Sequence, residues 1–139
     1  MRSLLDSNVL ISAAIRPSGP PGQIVRAFLE QDAFELVLSP AIVAEVDRAL
    51  GSSKIRRYIA RPAEARLWLA DIAALADLVG DTGRQSHACR DPHDEFVLAA
   101  AIEGRARAIV TGDADLLTLV EHEGIAIVTP KGFLEVIIG

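Results

Sequence analysis

Short apolar runs alternate along the chain with longer amphipathic segments, and this alternation predicts a succession of strands and helices. The runs at 2–6, 34–38, 108–111 and 125–128 have the length of strands. Their nearly continuous apolar character is typical of strands that are buried on both faces. A weaker strand is predicted near 77–79.

Proline marks where several of the helices begin. Ser39-Pro40, Asp91-Pro92 and Thr129-Pro130 each place a capping side chain before a proline, which favours a helix start. The alternation of strands with helices predicts a three-layer α/β/α fold with a central, mainly parallel sheet, formed by one domain at 1–139. The predicted helices cover 8–15, 21–31, 40–50, 52–60, 62–77, 92–104, 114–123 and the segment from Pro130 onward.

The composition narrows the class of protein. Half of the 139 residues are hydrophobic and Cys89 is the only cysteine, so we expect a globular domain without an internal disulfide. The start of the chain lacks the pattern of a signal peptide, and no apolar run approaches the ~20 residues of a membrane helix. A cytoplasmic protein with no membrane partner is therefore expected. The net charge of −5 argues against a general nucleic-acid coat protein.

Carboxylates follow the predicted strands or begin the helices after them. Asp6 ends the first strand, Asp113 and Asp115 follow the strand at 108–111, Asp94 lies in the first turn of a helix, and Glu45 lies on the helix after 34–38. In a parallel sheet these positions meet at one edge. Close carboxylates repel unless a cation lies among them, and oxygen ligands without Cys or His select Mg²⁺ or Mn²⁺. The pattern indicates metal-assisted attack of water on a phosphodiester.

Each acidic residue also has a structural interpretation. Asp6, Asp113 or Asp115 could cap the helix that follows, and Asp94 could complement the dipole of its own helix. Periodicity alone does not choose between Glu45 and Asp47. Four further residues could support the carboxylates or serve as ordinary caps and turn residues: Asn8, Ser39, Asp91 and Thr111.

A basic segment is a candidate for contacts with nucleic acid. Lys54, Arg56 and Arg57 could hold phosphates beside the acidic site, with Tyr58 available for stacking. The alternative is a solvated helix face.

The histidines are interpreted as incidental to the chemistry. His93 lies at a helix start, His122 at a helix end and His87 in a polar loop. The sequence also contains no CxxC motif, no Ser/His/Asp arrangement and no glycine-rich phosphate loop.

Taken together, the segments resemble the motifs of PIN-domain proteins over nearly the whole chain. The order and spacing of several motifs make the resemblance specific. The matching segments are Leu4–Ala13, Ser39–Glu45, Cys89–Asp94 with Leu98–Ala101, Val110–Leu117, and Ile127–Pro130 with Phe133–Leu134.

The resemblance implies a fold like that of the 5′-nuclease domain and endoribonuclease activity that depends on Mg²⁺ or Mn²⁺. The most similar subgroup comprises toxin components of prokaryotic toxin–antitoxin pairs, which implies an RNA substrate, a cognate antitoxin and a homodimer. Carried over by position, the catalytic carboxylates are Asp6, Glu45, Asp94 and Asp113. The resemblance, and not helix geometry, favours Glu45.

For the metal ligands, the resemblance implies Asp6, Asp94 and Asp113, with Asp115 as a further candidate. His93 and Glu95 depart from the family pattern, because relatives often carry additional acidic or amide residues beside this aspartate.

Three other classes of protein were considered. A haloacid-dehalogenase-type phosphatase needs a second aspartate two residues after the first, where this chain has Asn8. A receiver-type signalling domain needs a phospho-accepting aspartate at a mid-chain strand end, where this chain has Ser39. A catalytically inactive PIN module that binds RNA or protein remains an alternative.

Overall fold

The computed structural model describes residues 1–80 and 91–138. His87 and the Cys89-Arg90 part of the third motif lie outside these ranges. Among the described residues, no helix is long and apolar enough to span a bilayer. The strands are β1 (Arg2–Leu5), β2 (Glu35–Leu38), β3 (Asp77–Leu78), β4 (Ala108–Val110), β5 (Glu121–His122) and β6 (Ile125–Val128). The helices are α1 (Ser7–Ile15), α2 (Pro20–Gln31), α3 (Pro40–Gly51), α4 (Ser53–Arg56), α5 (Pro62–Leu75), α6 (Pro92–Glu103), α7 (Ala114–Leu117) and α8 (Pro130–Ile138).

The strands form one sheet in the order β3-β2-β1-β4-β6-β5. All neighbouring strands are parallel except β5 and β6, which are antiparallel. The chain builds outward from β1 through β2 to β3 and then returns to place β4 on the other side of β1. The strand order therefore reverses between β1 and β4, and in open parallel sheets such a reversal leaves a crevice at the carboxyl ends of the strands.

Both faces of the central strands are buried. Leu4 and Leu5 are adjacent in β1 and both are inaccessible to solvent, as are Ile109 and Val110 in β4. Adjacent residues of a strand point to opposite faces, so helices must cover the sheet on both sides. Helices α1, α2, α3, α5 and α8 pack against one another in a continuous series, while α6 packs against β2. The predicted three-layer α/β/α fold is confirmed.

The predicted helix at 114–123 was wrong beyond Leu117. The chain instead forms β5, which pairs with β6 through a two-residue turn at Glu123 and Gly124. Both turn residues have positive φ, 49° and 81°, and this conformation matches the twist of a hairpin. The glycine after Glu123 was the sequence signal for the turn.

Two other predicted helices were too long. The one at 52–60 is confined to Ser53–Arg56, and the one at 62–77 ends at Leu75 so that Asp77 can join β3.

The start of α2 gives a test of the packing. A Cβ atom added to Gly22 would overlap the carbonyl oxygen of Pro17, whereas one added to Gly80 would meet nothing within 4 Å among the described residues. We expect Gly22→Ala to lower the free energy of unfolding by about 1–3 kcal/mol, the usual cost of overpacking. Gly80→Ala is the matched control. Equal urea midpoints for the two variants would contradict the packing described here.

Candidate active site

The candidate site lies at the carboxyl ends of β1 and β4, where the strand order reverses. Asp6 follows β1, and its backbone amide donates to the carbonyl oxygen of Val110 at 3.0 Å, which continues the pairing of the two strands. Thr111 and Asp113 follow β4, and Asp94 enters from the first turn of α6. The fold thus brings carboxylates from distant parts of the chain to one edge of the sheet.

The carboxylate of Asp6 is completely buried and well supplied with hydrogen-bond donors. Its Oδ1 accepts from the backbone amide of Ser7 at 2.8 Å, so that Asp6 also caps α1. Its Oδ2 accepts from Thr111 Oγ1 at 2.9 Å and from Asn8 Nδ2 at 3.0 Å. A buried carboxylate with these donors is held in one orientation, and its burial is compensated by hydrogen bonds.

Asn8 and Thr111 extend this network to the turn that follows β4. Asn8 Oδ1 accepts from the backbone amide of Gly112 at 2.9 Å, and Thr111 Oγ1 accepts from the amide of Asp113 at 3.0 Å. Asn8 and Thr111, two of the four side chains predicted as supporting residues, therefore tie Asp6 to the loop that carries Asp113.

Asp94 is equally buried but lacks donors. Neither of its carboxylate oxygens accepts a hydrogen bond within the described part of the chain. Burial and the adjacent carboxyl of Asp113, with smaller contributions from the charges of Asp91 and Asp6, together raise the pKa of Asp94 to about 7. A carboxylate in this position is favoured in the charged form only when a cation approaches it.

Asp94, Asp113 and Asp115 form a group that we call the acidic triad. Each offers one oxygen, and the three oxygens lie within 4.8 Å of one another. Asp113 also caps α7 by accepting from the backbone amide of Asp115 at 2.9 Å. The all-oxygen donor set and the buried Asp94 carboxylate without a donor both fit a hard divalent cation.

His93 was missed by the sequence analysis, which treated it as incidental. Its Nε2 lies 3.4 Å from Asp6 Oδ1 and its Nδ1 lies 3.3 Å from Glu45 Oε2. The hydrogen bond to Asp6 raises the pKa of His93 to about 9, opposed by burial and aided by the charges of Glu45, Asp6 and Asp94. Its place beside Asp94 at a helix start was the sequence signal, but the distance to Glu45 depends on tertiary packing.

The remaining predicted residues divide into helix caps and a distant basic group. Ser39 accepts from the amide of Ile42 and caps α3, while Asp91 accepts from the amide of His93 and caps α6. The predicted helix end at His122 is instead part of β5.

The basic group begins beyond the far end of α3. That helix is 12 residues long, which separates its two ends by about 18 Å. Lys54, Arg56 and Arg57 follow the end opposite Ser39 and are exposed. They therefore do not directly adjoin the start of α3, and their predicted contact with substrate requires an RNA that extends along the surface.

The family follows from a comparison with known domains. A family profile described as PIN domain matches residues 2–115. The chain belongs to the PIN domain family.

One relative and two solved structures are similar to the chain over most of its length. The chain is 29% identical over 143 residues to Uncharacterized protein MJ1680 of Methanocaldococcus jannaschii, covering 97% of this chain and 90% of that protein. Its fold is similar to PAE2754 from Pyrobaculum aerophilum, with a TM-score of 0.69, 16% identity and coverage of 99% and 90% of the two chains. It is also similar to VapBC2 from Rickettsia felis, solved bound to a DNA fragment from their promoter, with a TM-score of 0.61, 13% identity and coverage of 93% and 98%.

The different surroundings of Asp6 and Asp94 predict opposite effects of the same substitution. In Asp94→Asn the amide can donate to Asp113 and relieve repulsion, so we expect the Tm in EDTA to rise by roughly 4 °C, or about 1 kcal/mol at this size. In Asp6→Asn the new amide group faces two donors, Asn8 Nδ2 and the Thr111 hydroxyl. We expect this mismatch to lower the free energy of unfolding by about 1–3 kcal/mol. Calorimetry checks both values, and a shift of the same sign in the two variants would contradict this account.

The two raised pKa values predict how the stability of the metal-free protein depends on pH. Folding favours protonated Asp94, so stability falls as pH rises from 3.8 through about 7. The stability contributed by charged His93 is complete below pH 6.5 and is lost as pH rises through about 9. We expect the Tm in EDTA to fall between pH 6.5 and 9, and to fall less in His93→Gln. Parallel curves for the two proteins would show that His93 does not contribute.

Proposed function

We propose that this protein is a metal-dependent endoribonuclease and the toxin of a toxin–antitoxin pair. The observation that supports it most directly is the buried carboxylate of Asp94, which accepts no hydrogen bond from the described residues and lies in the acidic triad with Asp113 and Asp115. If these residues acted only as helix caps, burial of a carboxylate without a donor would cost free energy and give no benefit. Membership of the PIN domain family supports nuclease chemistry at this edge.

The acidic triad would hold a Mg²⁺ or Mn²⁺ ion, with Asp6 beside it. When bound, the ion would supply positive charge that favours ionisation of water and stabilises the negative charge that develops on the phosphate. Asp6 contributes a carboxylate in a fixed orientation, because hydrogen bonds from Ser7, Asn8 and Thr111 prevent it from rotating.

Glu45 has a different place in the proposed reaction. Its carboxylate is partly exposed, with 38% of the side chain accessible, and it faces the site from α3. It can therefore accept a proton from a water molecule that enters from solvent. Attack by that water on phosphorus would break the bond to the 3′ oxygen, which takes up a proton from solvent as it leaves, so that the products are a 5′-phosphate and a 3′-hydroxyl.

RNA is proposed as the substrate and an antitoxin protein as the partner. The RNA is inferred from the toxin subgroup of PIN proteins that the motifs resemble, and Lys54, Arg56 and Arg57 are proposed to contact its phosphates. The similarity of fold to VapBC2 supports the assignment of a protein partner. A homodimer and a cytoplasmic location are proposed from the resemblance of the motifs to the toxin subgroup of PIN proteins.

The observed role of Asn8 disfavours a phosphatase of the haloacid dehalogenase type. That reaction needs a proton donor and acceptor at this position. The Asn8 side chain instead forms a fixed link, donating to Asp6 and accepting from the amide of Gly112.

Cleavage of labelled RNAs tests the proposed function. We expect the purified protein to cut RNA with Mn²⁺ or Mg²⁺, to stop in EDTA and to leave 5′-phosphate ends. Asp113→Asn should reduce the rate by roughly 10²-fold or more, because a charge that supports the transition state is lost. Asp71→Asn, at an exposed position on α5, is the matched control and should cut at the rate of the unmodified protein.

Several outcomes would overturn this proposal. They are activity that survives EDTA, a 2′,3′-cyclic phosphate product, or equal rates for the two variants. Binding of RNA without cleavage would identify the protein as an inactive PIN module.

A further inference from the structure

A small cavity away from the acidic residues lies where the end of α3, the helix α4 and the beginning of α5 meet. Its volume is about 360 Å³, and two of its lining residues are arginines, Arg56 of α4 and Arg66 of α5. The other lining residues are Leu50, Gly51, Pro62 and Ala63. The described lining thus contains two guanidinium groups and no carboxylate, so the cavity is suited to an anion.

The guanidinium group of Arg66 is held in one orientation. Its Nε lies 3.3 Å from Asp47 Oδ1, and its Nη2 donates to the backbone carbonyl oxygen of Asp47 at 3.3 Å. The group also packs directly over Gly51, where an added Cβ atom would overlap Nη2. These contacts do not use Nη1, which can donate to a ligand. A side chain that is already ordered loses less conformational entropy when it binds one.

The cavity lies within reach of a strand that enters the candidate active site. Gly51 follows Glu45 by six residues on α3, which corresponds to about 9 Å along the helix axis. Lys54 and Arg57 belong to the same basic segment as Arg56, but they do not line the cavity. Arg56 and Arg66 therefore define a position for one phosphate, whereas the basic segment alone defines only a charged surface.

We propose that Arg56 and Arg66 together bind one backbone phosphate of the RNA, at a linkage other than the one that is cut. This inference rests on the proposed function for the identity of the polymer. Arginine is suited to the role, because its planar group donates to two phosphate oxygens at once.

The surroundings favour a phosphate within a strand over a free phosphate ion. Asp47 offsets part of the charge of Arg66, and both arginines are exposed to solvent. A free ion would therefore bind weakly, as exposed ion pairs do. A phosphate in a strand that Lys54 and Arg57 also contact has a high effective concentration at the cavity.

Binding of a labelled single-stranded RNA in EDTA tests the inference without cleavage. Fluorescence anisotropy with the full chain should show that Arg56→Gln and Arg66→Gln each weaken binding roughly three- to tenfold. The double variant should lower the slope of log K against log salt by about 0.7, the value for one phosphate on a single strand. Arg107→Gln removes an exposed arginine elsewhere and should leave the affinity unchanged.

A second variant tests the orientation of Arg66 without any change of charge. Gly51→Ala places a methyl group where the guanidinium lies, so it should weaken binding, although less than Arg66→Gln does. Gly80→Ala is the matched control and should bind as the unmodified protein does. Thermal melting followed by circular dichroism checks that each variant is folded.

The outcomes separate this inference from the proposed function. Equal affinities for Arg66→Gln and Arg107→Gln, equal affinities for Gly51→Ala and Gly80→Ala, or a slope change of about 1.4 in the double variant, as for two phosphates, would overturn the inference. Inorganic phosphate that binds as tightly as RNA, and is lost in Arg66→Gln, would assign the cavity to a free anion and also overturn it. The expected binding pattern without cleavage in Mn²⁺ or Mg²⁺ would overturn the proposed function alone.

Discussion

Burying a carboxylate among other carboxylates costs free energy, and the arrangement of this site depends on how that cost is offset at each position. For Asp6, hydrogen bonds donated by Ser7, Asn8 and Thr111 offset the free-energy cost of burial. Glu45 is partly exposed and faces the imidazole of His93. Asp94 has neither compensation within the described residues. An isolated buried charge is strongly unfavourable. The cost of burial is left uncompensated at Asp94, so this position is suited to receive a cation.

The fold reduces this cost through its helix starts. Asp6 caps α1, Asp113 caps α7, and Asp94 lies in the first turn of α6. The start of a helix carries unpaired amide groups and a partial positive charge, which favours an adjacent carboxylate. A parallel sheet with crossover helices directs these helix starts to the carboxyl edge of the strands. The same topology that gathers the acidic residues therefore also limits their repulsion.

The contrast between Asp6 and Asp94 separates two functions of a buried acid. The donors around Asp6 fix its orientation and join the ends of β1 and β4 through Asn8 and Thr111. This makes Asp6 part of the framework as well as part of the site. Asp94 contributes little to the framework, since its oxygens accept no hydrogen bond from residues 1–80 or 91–138. The surroundings of Asp94 suit it to bind a cation, whereas those of Asp6 suit it to keep the ends of β1 and β4 in a fixed arrangement.

The sequence by itself determined the layered fold, because buried strands and proline-marked helix starts depend on local periodicity and capping. It also indicated that Asp6, Asp94 and Asp113 lie near one edge, since in a parallel sheet residues that follow strands or begin the next helix meet there, but it left Glu45 and Asp47 undecided. The sequence pattern did not predict the β5–β6 hairpin. A weak helical pattern favoured a helix in this segment, but the turn with positive φ at Glu123 and Gly124 folds it into a hairpin. Only the tertiary structure decided that His93 lies between Asp6 and Glu45 and that Asp94 has no donor in the described part of the chain. Both facts depend on distances between residues that are remote in sequence, and no local pattern encodes such distances.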